Sequence, residues 1–166
     1  MPADRLWTAL TEPDVLARWL WPVVEWPDDD APVDAPRRPL TLEDTFVLGD
    51  PAHPEGLLRA VVRGYDEGRM IALEWGREGS EPVVFTVDAL GPTRSRLRIE
   101  QPPTPAVFGL GELRAGADYA AGWHALVDAL SLVLLDLEVP RTDQFWTAAK
   151  AVYDELPQNR TTTDPV

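Results

Sequence analysis

The 166-residue chain has no cysteine, two histidines and a single lysine, Lys150. Without cysteine there can be no disulfide and no thiolate metal site. His53 sits in a Pro-flanked loop and His124 on a long apolar-striped segment, too sparse for the ligand clusters that zinc needs, so no metal and no cofactor is expected. Positive charge is scarce too: 15 basic residues against 28 acidic ones leave a formal net charge of −13. That balance opposes phosphate backbones and anionic lipid, so neither nucleic acid nor membrane is an expected partner. No apolar run is long enough to cross a bilayer, and the first residues lack the basic-then-apolar pattern of an export signal. Cytoplasm is the expected address.

What is present is a core. At 45% hydrophobic content the chain fits one domain, a size that buries roughly two thirds of the surface an unfolded form exposes. Two helices are expected first. Pro2 opens one, with Leu6, Trp7 and Leu10 in a stripe ending near Thr11. Thr11-Glu12-Pro13-Asp14 then reads as the cap of a second, carrying Val15, Leu16, Trp19 and Leu20 and stopped by Pro22. From Pro22 to Pro39 five prolines and the cluster Asp28-Asp29-Asp30 predict a loop, either a functional flap or a tolerated insertion.

Five strands are expected next. Leu42, Phe46 and Leu48 share a face of the first; Leu58, Ala60 and Val62 alternate with Arg59 and Arg63 in the second. Ile71, Leu73 and Trp75 line the third, and Val83, Phe85, Val87 and Ala89 the fourth. In the fifth, Leu97 and Ile99 oppose Arg94, Arg96, Arg98 and Glu100. If Val87 and Leu97 share a face, an odd loop Leu90-Gly91-Pro92 sets Ala89 opposite Thr93 and Asp88 opposite Arg94. One wet face and one dry face need a cover. The segment from about Ala117 to Leu137 supplies it, with Tyr119, Trp123, Leu126, Val127, Leu130, Val133, Leu134 and Leu137 at spacings of three and four. A helix of that length runs about 30 Å, enough to cross the sheet. A further amphipathic helix is expected within 138–157, with Phe145, Trp146, Ala149, Val152, Tyr153 and Leu156 on its apolar face, and a disordered tail over 158–166.

This order, two short helices, a meander of strands and one long helix, resembles the START-like (SRPBCC, polyketide-cyclase-like) superfamily. Within it, Leu6-Trp7-Thr8-Ala9-Leu10-Thr11-Glu12-Pro13 followed by Leu16-Ala17-Arg18-Trp19 is similar to the opening helices of the family named for activators of the heat-shock-protein-90 ATPase. Gly122-Trp123-His124-Ala125-Leu126-Val127-Asp128-Ala129-Leu130 is similar to its terminal-helix signature. The resemblance spans residues 2–137 and implies an α+β helix-grip domain: a curved antiparallel sheet of about five strands wrapped on a long helix. The chain departs from the family by lacking a strand ahead of the first helix, by a longer loop after Trp21 and by the helix after Pro140. A missing first strand leaves a sheet edge unpaired. The last helix, or a second copy of the chain in a homodimer, is expected to cover it.

Candidate chemistry is thin. His124 and Asp128, at i and i+4, could pair as a base and its orienter, but same-face polar pairs are ordinary on helices. Ser80, Ser95 and Ser131 have no His/Asp pattern beside them, and Gly109-Leu110-Gly111 lacks the rest of a nucleotide fingerprint. Arginines of the fifth strand read as a solvated sheet exterior, and Glu74 as outward-facing. The aromatics are denser: Trp19, Phe46, Trp75, Phe85, Phe108, Tyr119 and Trp123, with Leu126, converge between sheet and helix. The resemblance implies an apolar cavity there, the superfamily's usual binding place. Two classes of function follow: a module that binds a small apolar molecule or is chaperone-associated, or a cyclase- or dehydratase-like enzyme using the same cavity. Glu112 and Asp118, near the helix mouth, are the acids such an enzyme would use. The family's name does not make this chain a co-chaperone, because no second domain for docking a chaperone is legible.

Overall fold

The structure, a computed structural model, describes residues 1–20, 23–27, 37–49, 52, 54, 57–75, 82–101, 112–140 and 142–155, with side chains for all of these but 24, 112–119, 142–146 and 154–155. Helix α1 (Ala3–Thr11) and the single turn α2 (Pro13–Leu16) precede a meander of β1 (Val23–Glu25), β2 (Thr45–Leu48), β3 (Leu58–Asp66), β4 (Met70–Trp75), β5 (Val83–Gly91) and β6 (Arg94–Glu100). Helices α3 (Glu112–Leu134) and α4 (Thr142–Glu155) follow. All six strands pair antiparallel in sequence order in one sheet.

Period-two alternation places Phe46, Leu48, Ala60, Val62, Leu73, Val83, Phe85 and Val87 on the buried face, each at most 3% exposed. Against it α3 lays Leu126, Ala129, Leu130, Val133 and Leu134. Val127 and Leu137, expected in the stripe, are exposed instead, and Leu137 lies beyond the helix end. The helix also begins at Glu112, five residues earlier than the apolar spacing suggested.

Other boundaries moved for local reasons. Val23–Glu25, inside the expected loop, forms a short edge strand on β2, because two adjacent valines suit a pleated half-buried edge. Leu42 is 52% exposed and lies ahead of β2 rather than in it. Thr11 does not cap α2; its hydroxyl donates back to the Trp7 carbonyl at 2.9 Å, and Glu12 takes the cap position. The β5–β6 hairpin keeps Val87 and Leu97 on one face, as expected, but sets them directly opposite and pairs Asp88 with Arg96 and Ala89 with Ser95. The turn is tighter than expected, with Gly91 already paired to Arg94, and a bulge between Ala89 and Gly91 adds one residue to β5, so the expected partners Arg94 and Thr93 are displaced by two residues.

The approach to β2 is held by a polar clasp that sequence reading did not anticipate. Arg38 forks onto Asp44 at 2.6 and 2.7 Å, and the Thr41 amide and hydroxyl donate to the same carboxylate at 2.6 and 3.1 Å. Burial pushes the Asp44 carboxyl up, but these donors outweigh it and hold it below its ordinary 3.8. Next to the clasp, the Leu40 amide donates to the Thr11 carbonyl at 2.9 Å, tying the strand entry to the end of α1.

At the far end α1 closes the sheet, with Trp7 tilted on Tyr65 of β3 at 5.5 Å and Arg5 paired to Asp136 after α3 at 2.6 Å. Helix α4 lies on α3: Ala149 is buried, and Tyr153 meets His124 edge-on at 6.0 Å. Among the described residues its packing partner is thus α3 rather than a sheet edge, which it was expected to cover. Among the described residues no helix is long and apolar enough to cross a membrane.

Candidate functional site

Four of the eight expected cavity residues form one connected aromatic group. Strand parity sends Phe85 of β5 and Trp75 of β4 inward, α2 leads into Trp19 behind them, and α3 lowers Trp123 in front. Phe85 is the hub: Trp19 meets it edge-on at 6.5 Å, Trp75 at 6.4 Å and Trp123 at 5.8 Å. Trp75 and Trp123 stack at 5.7 Å with 27° between planes. Each such pair contributes about 0.5–1.5 kcal/mol beyond burial.

The group is graded in exposure. Trp19 and Phe85 are 1% exposed, Trp75 9%, and Trp123 is half-buried. Both outer tryptophans of the chain of contacts have their polar tips satisfied. Trp19 Nε1 donates to the Ala9 carbonyl at 2.7 Å, and Trp123 Nε1 to Gln101 Oε1 at 2.6 Å. Leu126, one helical turn beyond Trp123, is buried beside them.

Phe46 is equally buried but belongs to a second pair, stacked on Trp26 at 5.6 Å with the Arg37 guanidinium 5.5 Å over the Trp26 ring. Phe46 thus makes its ring contact with Trp26 while sharing one buried core with Trp19, Trp75, Phe85 and Leu126. Phe108 and the side chain of Tyr119 lie outside the described residues, as do His53, Ser80, Gly109-Leu110-Gly111 and the side chains of Glu112 and Asp118.

Gln101 was missed, though a signal existed. It follows Leu97 and Ile99 at the same parity, so the residue just past β6 sets a polar side chain on the dry side, where it needs a partner. Trp123 supplies the donor.

The remaining polar candidates are accounted for by ordinary contacts. His124 Nε2 stands 3.5 Å from Asp128 Oδ2, with side chains 44% and 50% exposed, a surface pair beside α4. Ser131 donates to the Val127 carbonyl at 2.8 Å and Ser95 to that of Met1 at 2.9 Å, so neither hydroxyl faces a base. On β6, Arg96 and Arg98 reach Asp88 at 2.9 and 3.7 Å. Glu74 points to the outer face, where Arg63 Nε donates to it at 2.8 Å.

A single antiparallel sheet closed by a long C-terminal-half helix across its dry face defines a helix-grip protein of the START-like kind. The chain belongs to the family described as Activator of Hsp90 ATPase homolog 1-like protein, whose model matches residues 1–134. Helix α4 lies beyond that span. Among curated proteins none matches the chain.

Solved structures show the same fold at low identity. The crystal structure of CalU16 from Micromonospora echinospora is 17% identical with a TM-score of 0.57, the likeness covering 92% of this chain and 79% of that one. MLL2253 from Mesorhizobium loti is 22% identical with a TM-score of 0.57, covering 80% and 88%. DynU16, from the dynemicin biosynthetic locus, is 18% identical with a TM-score of 0.53; 81% of this chain matches 43% of that longer one.

Proposed function

We propose that the protein binds a small apolar molecule carrying an aromatic ring, between α3 and the sheet at the Trp75–Trp123 face. The observation behind this is the half-buried Trp123 ring, stacked on Trp75 and held by one hydrogen bond to Gln101. An entering ring can replace Trp123 against Trp75 at little cost, since stacking exchanges for stacking. The freed indole N–H and the Gln101 amide then orient whatever polar tip the ligand carries. Support from neighbours is by likeness: DynU16 belongs to a dynemicin biosynthetic locus, so a biosynthetic intermediate is the first ligand class to try. The reading takes the protein as cytoplasmic and gives it no catalytic group.

Native mass spectrometry of protein purified from its own host tests it. We expect a retained apolar molecule, and a rise in melting temperature when it is added back in excess; saturation at 100 times Kd stabilises by about 2.7 kcal/mol. Trp123→Leu, which keeps apolar bulk but removes ring and N–H, should weaken binding about tenfold, and Asp128→Ala on the outer side of α3 should not. Protein that leaves its host empty, and that no aromatic compound in a panel stabilises, would end this reading. So would unchanged binding in Trp123→Leu.

A further inference from the structure

On the opposite face of the sheet, away from α3, lies a groove of about 270 Å3. Thr45, Val61 and Glu74 stand side by side across β2, β3 and β4, with Arg59 and Arg63 flanking Val61 along β3. Glu43 overhangs the Arg63 end. Its backbone holds φ 67, a region a non-glycine residue occupies at a cost, and its amide donates to the Val62 carbonyl at 2.9 Å. That fixed turn delivers the Glu43 carboxylate to the groove.

The charges are arranged with direction. Glu74, its side chain 12% exposed, is engaged by Arg63 Nε at 2.8 Å. Arg63 Nη1 also reaches Glu43 Oε2 at 3.3 Å, leaving Glu43 67% exposed with lone pairs to spare. Arg59, four residues and about 13 Å of strand from Arg63, makes no ion pair among the described residues. One end of the groove therefore offers a cation, with the Thr45 hydroxyl nearby as a further donor. The other end offers an exposed carboxylate.

We propose that this groove binds a small zwitterion, its carboxylate on Arg59 and Thr45 and its protonated amine on Glu43. Arginine's planar fork matches a carboxylate. A bare anion would have to approach a molecule of charge −13, whereas a zwitterion carries no net charge and meets no such repulsion. The volume falls just below the range of about 300–1,000 Å3 typical of drug-sized ligands, so the ligand has few heavy atoms. Of the residues lining the groove, Trp75 belongs to the aromatic interior as well, but none of the proposed contacts uses it.

Amide-resolved NMR titration of the whole chain with 4-aminobutyrate tests the assignment, with butyrate and butylamine as single-charge controls. The expected result is saturable shifts at Thr45, Val61 and Glu74 with the zwitterion alone. Arg59→Gln and Glu43→Gln, both exposed positions, should each weaken binding at least tenfold. Equal binding of butyrate or butylamine overturns the zwitterion, and unchanged affinity in either variant overturns the residue assignment. No saturable shift, or shifts confined to the Trp123 indole, overturns the site itself.

Discussion

Trp19 closes a gap in the hydrogen bonding between the first two helices. The carbonyl of Ala9 would ordinarily accept from the amide four residues on, but that residue is Pro13, which has no N–H. Trp19 Nε1 fills the vacancy at 2.7 Å in a buried setting, so α1 and α2 are joined by a side chain where the backbone cannot do it. Trp19→Phe removes the donor together with part of the indole, leaving a buried carbonyl unpaired beside a small cavity. Denaturant unfolding should show a loss of about 1–3 kcal/mol with the slope unchanged. A loss below about 0.5 kcal/mol would mean that water reaches Ala9.

At the scale of elements, the bend of the sheet rests on the bulge where β3 shifts register against β4 between Val62 and Gly64. Past it Tyr65 returns to the inner face and packs on Trp7. A Cβ at Gly64 would lie 3.1 Å from that of Ala72, closer than two carbons sit comfortably. Gly64→Ala should therefore destabilise by about 1 kcal/mol through crowding. Removing the opposing methyl in Ala72→Gly should make the pair better than additive, with a coupling of about 0.5 kcal/mol or more. Strict additivity would place the strain elsewhere. The turn that follows needs Gly68 at φ 72, with Arg69 donating to the Asp66 carbonyl at 2.9 Å.

For the whole molecule, the surplus of 13 negative charges sets the response to salt. The ion pairs on the surface, such as Arg5–Asp136 and Arg96–Asp88, are exposed and contribute little each. Self-repulsion spread over the surface is the larger electrostatic quantity. Raising ionic strength from about 0.01 to about 0.1 M shortens the screening length from about 30 to about 10 Å. The melting temperature should rise by a few degrees over that interval. A fall would show that local pairs outweigh the overall repulsion.

The periodicities of the sequence were enough for the element order, for the dry face of every long strand and for the segment that covers it. Those depend on neighbours two, three or four residues apart, which any reader of the chain can see. Register at the β5–β6 hairpin, the edge strand Val23–Glu25 and the seat of α4 were decided by pairings between distant residues, for which spacing gives no rule. The same holds for the site. Aromatic residues on inward positions were legible singly, but only packing stacked Phe46 on Trp26 and gathered Trp19, Trp75 and Trp123 around Phe85. The groove of Arg59 and Glu43 was invisible for a similar reason: a positive-φ turn brings Glu43 to β3 and cross-strand register sets Thr45 beside Val61, and both are consequences of the folded sheet.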